Sequence, residues 1–131
     1  MKKLVAVVML GAATITAHAE TVYVLASKCV GDTIRLSDQQ EVLYAKRACN
    51  LPIVHQKDLR YFVQHIGGRD FTGCWGETLG DKVVLIGSGG DQETRLAGTY
   101  SKADASPDGT AKIVKSPWTG TLYEQAEHLC N

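Results

Sequence analysis

The chain has 131 residues, 44% of them apolar and 21% charged, with nine aromatic residues, thirteen glycines, three prolines and four cysteines. Fourteen Lys and Arg balance fourteen Asp and Glu, so there is no basic excess to neutralise a phosphate backbone, which argues against nucleic-acid binding. Valine, leucine, isoleucine and aromatic residues are spread along the chain, which excludes low-complexity disorder and describes one small globular domain.

Lys2 and Lys3, the apolar run Leu4 to Ala13 and the small-residue site Ala17-His18-Ala19 have the layout of a secretory signal removed after Ala19. The apolar run is ten residues long, whereas a spanning helix needs about twenty, so no membrane span is expected in the mature form. A lipoprotein signal is disfavoured because Lys28 precedes Cys29 where a small residue is needed. The expected domains are a signal peptide, residues 1–19, and one disulfide-bonded domain, residues 20–131. The mature chain carries twelve Lys and Arg against fourteen Asp and Glu, a net of −2, which favours no class of partner.

Thr21 to Val30 is rich in β-branched and aromatic residues, and Gly31-Asp32 breaks it before Thr33 to Leu36, so two strands with a tight turn are expected. Ser37 and Gln40 have capping-box spacing, and Val42, Leu43, Ala45 and Ala48 follow with helical periodicity, which predicts a short helix from about Asp38 to Cys49. The runs Leu59–Ile66, Arg69–Gly76, Lys82–Gly87 and Gln92–Leu96, separated by glycine turns, predict a four-stranded antiparallel meander. After Tyr100 the composition is that of a loop, with one short strand at Thr110–Lys115. Thr121 and Glu124 repeat the capping-box spacing, with Leu122, Ala126 and Leu129 on one face, so the chain is expected to end in a short helix carrying Cys130. The expected fold class is therefore α+β: a small antiparallel β-meander with one or two short helices, stabilised by two disulfides.

A two-residue turn at Gly67-Gly68 dictates the register of the first hairpin of the meander. Ile66 then opposes Arg69, His65 opposes Asp70, Gln64 opposes Phe71, Phe62 opposes Gly73, Tyr61 opposes Cys74 and Arg60 opposes Trp75. One face holds Leu59, Tyr61, Val63 and Cys74, and the other holds Arg60, Phe62, Ile66, Phe71 and Trp75. Phe62 covers Gly73, and Arg60 is placed to lie across Trp75.

Cys29, Cys49, Cys74 and Cys130 all fall in the exported part, and an even count in an oxidising compartment reads as two disulfides. Three pairings are possible; Cys29 with Cys49 and Cys74 with Cys130 is favoured because the first joins sequence neighbours and the second ties down the tail. Cysteines 20, 25 and 56 residues apart, with scattered histidines, lack the spacing of a zinc site, so no metal and no cofactor are expected.

Few residues carry chemistry. Gly73-Cys74-Trp75 lacks the residues that precede a papain-type nucleophile, and a mid-strand cysteine has no helix N-terminus to hold a thiolate. His65 opposite Asp70 is the beginning of a general-base arrangement without an accompanying nucleophile. Gly87-Ser88-Gly89-Gly90-Asp91 lacks the Lys-Ser/Thr of a phosphate loop and is read as a turn. Trp118 and Tyr100 stand out as exposed binding anchors in loops, with Trp75 and Arg60 as further candidates.

The residues Cys29, Thr33-Ile34-Arg35-Leu36-Ser37-Asp38, Cys49, Gly73-Cys74-Trp75, Asp81-Lys82-Val83-Val84 and Gly90-Asp91 resemble a loose group of small exported or prophage-associated bacterial proteins of unknown function. The resemblance covers residues 29 to 100, implies a compact sheet domain and supplies no activity. The segment Gln39–Cys49 and the tail from Ser101 to Asn131 depart from that pattern.

Export, size, disulfides and the lack of a convergent acid, base and nucleophile set point to a non-enzymatic binding module of the cell envelope, periplasmic or secreted, such as an inhibitor, immunity or phage-related factor. Its expected partner is an envelope or extracellular protein. The competing expectation is a small hydrolase using Cys74 or the His65 and Asp70 pair, and a purely structural envelope protein comes third.

Overall fold

The computed structural model of the chain describes residues 18–127 and residue 130. The segment expected to be the signal lies outside them up to residue 17, as do His128 and Leu129. Nine strands follow one another: β1 (Glu20–Val24), β2 (Thr33–Arg35), β3 (Glu41–Ala48), β4 (Arg60–Ile66), β5 (Arg69–Thr78), β6 (Lys82–Gly87), β7 (Gln92–Leu96), β8 (Ser101–Ala105) and β9 (Thr110–Lys115). They form one sheet in the order β2-β9-β8-β1-β3-β4-β5-β6-β7, and each neighbouring pair is antiparallel. Among the described residues there is one α-helix, the short α1 (Leu122–Glu127), which follows β9 and ends before Cys130.

The fold class is therefore antiparallel β and not α+β. The helix expected over Asp38–Cys49 is the long strand β3, in the middle of the sheet. Glu41, Val42, Leu43 and Tyr44 are all buried because both faces of the strand are covered, which erases the alternation that marks a half-exposed strand. The N-terminal hairpin does not form either: β1 lies between β8 and β3, while β2 crosses to the far edge and pairs only with β9. The segment read as loop after Tyr100 contains β8. Its inward residues Ser101, Ala103 and Ala105 are small enough to pass unnoticed as a core face, yet Ala103 is fully buried opposite Val22.

The meander β4 to β7 forms as the glycine turns require. Gly67 and Gly68 have φ of 59° and 75°, the left-handed values that a two-residue type I′ turn demands at both positions. The pairing of Ile66 with Arg69 down to Arg60 with Trp75 is the one expected. Gly73 is required in that register: a Cβ there would lie 2.6 Å from the Phe62 ring and would also strike the carbonyl of Ile86.

Because opposed residues share a face, the sheet divides its core into two. Val22, Val24, Val42, Tyr44, Val63, Ala103 and Ile113 pack on one side, and Leu43, Phe62, Trp75, Val83, Leu85 and Tyr100 pack on the other. Tyr61 joins the first cluster, whereas Phe62 and Trp75 lie in the second, as the hairpin register dictates. The second side is strongly curled. Four strand spacings separate β3 from β7, about 19 Å in a flat sheet, yet Arg95 Nε on β7 lies 3.2 Å from Glu41 Oε2 on β3. Tyr23 on β1 likewise meets Trp75 on β5 edge to face, with ring centroids 5.8 Å apart. β3 to β7 therefore wrap around this second core.

β3 also carries a large irregularity. Leu43 opposes Phe62 and Ala48 opposes Arg60, so five steps along β3 match two along β4. The extra residues turn the end of β3 toward β1, where Arg47 forms a two-pronged ion pair with Glu20 and lies over the Tyr44 ring, 3.8 Å from its centroid. Hydrogen bonding to Glu20 raises the Arg47 pKa, and burial raises that of Tyr44.

The cysteines pair differently from the favoured expectation. The bridges are Cys29–Cys130 and Cys49–Cys74, with Cα–Cα distances of 5.5 and 5.2 Å. The first ties the loop after β1 to the chain end; the second pins the exit of β3 to the middle of β5, two strands away. Sequence proximity misled because Cys29 and Cys49 are separated by the whole excursion of β2 to the far edge of the sheet.

Candidate binding site

The sequence-derived candidates scatter. Trp75 is buried and its Nε1–H donates to the Tyr44 carbonyl at 3.1 Å, so it serves the core. Arg60 opposes Trp75 in register, but its guanidinium turns back to donate to the carbonyls of Lys57 and Leu59, both at 3.0 Å. Tyr100 is not the exposed anchor that was expected: it is 8% exposed and its hydroxyl donates to the Glu41 carboxylate. Trp118 is partly buried in the turn before α1, where its carbonyl accepts from the Thr121 hydroxyl at 2.7 Å. In the same turn Thr121 Oγ1 accepts from the Glu124 N–H at 3.2 Å, the capping contact expected there. These four side chains do not converge.

His65 Nδ1 and Asp70 Oδ1 do meet, at 2.7 Å, on the surface of the β4–β5 hairpin. Cys74 is bonded to Cys49, which leaves no thiol there to attack a substrate. Gly87 to Asp91 is the β6–β7 turn, closed by the Gly87 N–H to Asp91 carbonyl bond of 2.9 Å.

Inside the curl lies a polar cluster that the sequence did not announce. The Glu41 carboxylate is fully buried and accepts from the Tyr100 hydroxyl, from Gln64 Nε2 at 2.7 Å and from Arg95 Nε at 3.2 Å. Arg95 Nη2 also donates to Glu93 Oε2 at 2.7 Å. A buried carboxylate is costly unless its lone pairs are met, and here three donors from three segments meet them. Burial first, and then the bond to Glu41, raise the Tyr100 pKa.

Gln64 and Glu93, at the edge of this cluster, line a groove of about 490 Å3 between the tips of the β4–β5 and β6–β7 hairpins, while Glu41, Arg95 and Tyr100 lie outside its lining. Its walls are Phe62, Ile66 and Phe71, and its polar lining includes Gln64, Asp91 and Glu93. Ile66 and Phe71 are 47% and 49% exposed, although the hairpin register puts both on the face that elsewhere carries the second core. Sheet and turn chemistry alone place them here, with no layer over them. A larger depression of about 720 Å3 lies at the opposite core, around Arg35, Tyr44, Arg47 and Asp108. Arg47 is engaged there by Glu20, and Asp108 accepts from the N–H and hydroxyl of Thr110.

Among the described residues no group of three or more His, Cys, Asp or Glu is placed to hold a metal ion. In comparison with known proteins, no family model matches the chain, and no curated protein or solved structure matches it at a significant level.

The signal for this groove was partly present in the sequence. Ile66 and Phe71 flank the two-glycine turn, and the register alone assigns them to one face. Glu41, Arg95 and Tyr100 were not recoverable, since they come from distant segments brought together by the curl of the sheet.

Proposed function

We propose that this protein is an exported, non-enzymatic interaction module of the cell envelope, cleaved after Ala19, which binds another envelope or extracellular protein through the groove between the β4–β5 and β6–β7 hairpin tips. The observation that carries this reading is the pair of half-exposed side chains Ile66 and Phe71 bordering a groove whose lining residue Gln64 is held by a hydrogen bond to the buried Glu41. Exposed apolar groups gathered at a preformed concavity suit an interaction site, and short hairpin turns reduce the backbone ordering that binding would otherwise cost. Two disulfides fit an extracellular or periplasmic setting, and no helix among the described residues is long and apolar enough to cross a membrane. The resemblance to small exported or prophage-associated proteins fits the same reading, with an inhibitor, immunity or phage-related role.

The test is capture of partners from envelope extract by tagged protein expressed with its leader and recovered from the exported fraction. A partner retained by the wild type is expected to be lost with Phe71→Ala and Ile66→Ala, and retained with Trp118→Ala. Retention by both groove variants would remove the groove from the interaction.

A further inference from the structure

The charges of the groove do not balance. Asp91 and Glu93 supply two carboxylates to its lining and no cationic side chain lines it; Arg95, outside the lining, bonds Glu93 but is shared with the buried Glu41. Asp91 is exposed, lines the groove and has no ion-pair partner among the described residues; its carboxylate sits beside Gly87 and Gly89 of the β6–β7 turn. Arg69 opposes Ile66 at the hairpin tip but does not line the groove. What the groove lacks is a cation flanked by apolar surface. A bare metal ion does not satisfy this, because the described residues form no metal-ligating group and the walls are apolar.

Resting on the reading above that this groove is the interaction surface, we infer that it receives an arginine or lysine side chain of the partner protein, carried on an apolar segment. The stem of such a side chain lies along Ile66 and Phe62, its charged end reaches Asp91 and Glu93, and a guanidinium stacks on the open Phe71 ring. Arginine is preferred over lysine because its planar head satisfies the ring and a carboxylate together. The partner's neighbouring apolar residues cover what remains exposed of Ile66 and Phe71.

The experiment is a titration of the exported protein with capped tripeptides, Ac-Leu-Arg-Leu-NH2, its lysine counterpart and its citrulline counterpart, followed by NMR at the Ile66 methyl groups and the Gly89 amide. Citrulline has nearly the shape of arginine without the charge. The arginine peptide is expected to shift both reporters, to bind somewhat more tightly than the lysine peptide, and to bind about fivefold or more tightly than the citrulline peptide. Asp91→Asn is expected to reduce the arginine peptide to the affinity of the citrulline peptide, while Phe71→Ala weakens all three. The wild-type comparison of arginine with citrulline stands even where a variant misfolds. Equal affinity for those two peptides, or no shift at either reporter with any peptide, overturns the cationic occupant. If partner capture still requires Ile66 and Phe71 in that case, only the chemistry of the occupant is wrong. If capture ignores both residues, the interaction surface itself is misassigned.

Discussion

Tyr100→Phe is the cleanest probe of the buried cluster, because it deletes one oxygen and leaves the volume of the ring in place. In the folded protein that oxygen donates to Glu41, a carboxylate with no exposed surface, so its removal leaves a buried anion with one donor fewer. A hydrogen bond to a charged group is worth about 1.5–3 kcal/mol. Gln64 and Arg95 still hold Glu41, so the loss stays within that range rather than reaching the larger cost of an unpaired charge. With an unfolding entropy of about 2.1 cal/mol/K per residue, the mature chain is expected to lose about 6–13 °C in Tm. Urea unfolding monitored by tryptophan fluorescence gives the free energy, since Trp75 lies in the same cluster. Tyr23→Phe is the control: Tyr23 packs edge to face on Trp75, and its hydroxyl makes no hydrogen bond among the described residues, so its loss should cost less than about 0.5 kcal/mol. A Tyr100→Phe variant as stable as the wild type would show that the Glu41 carboxylate is reached by water, and that the curl does not seal the second core.

Glu41→Gln should cost about 1.5–3 kcal/mol, because Tyr100, Gln64 and Arg95 then face a neutral amide with one acceptor oxygen in place of two, while Arg95, a third exposed, keeps Glu93; chemical denaturation measures it. Gly73→Ala should destabilise by about 1–3 kcal/mol or more, since the added methyl group meets both the Phe62 ring and the Ile86 backbone, whereas Gly89→Ala, whose methyl group meets only the movable Asp91 carboxylate at 3.3 Å, should be far milder. Stability should fall as pH rises above about 10, where tyrosines of the unfolded chain ionise while folded Tyr100 and Tyr44, both with raised pKa, keep their protons; the slope approaches about 1.4 kcal/mol per pH unit for each, and Tyr100→Phe should make it shallower. Peptide mapping without reduction should recover the links Cys29–Cys130 and Cys49–Cys74 and no free thiol; opening the longer loop should cost about 4.7 kcal/mol and opening the shorter about 3.5 kcal/mol by loop-closure entropy.

Local chemistry alone determined the meander. Gly67-Gly68 admits one kind of turn, that turn admits one register, and the register assigns Tyr61 and Cys74 to one face and Phe62, Ile66, Phe71 and Trp75 to the other. The need for glycine at position 73 follows from the same reasoning. Everything that depends on which strands neighbour one another at long range was decided by the tertiary structure. β3 reads as a helix because a strand covered on both faces shows no alternation, and only its place between β1 and β4 supplies those covers. β8 reads as a loop because its buried face is made of Ser and Ala, small residues whose burial depends on Val22 lying opposite. The cysteine pairing follows the crossing of β2 to the sheet edge rather than distance along the chain. The Glu41 cluster exists because four strand spacings curl until β7 meets β3, and no local pattern records how far a sheet will curl.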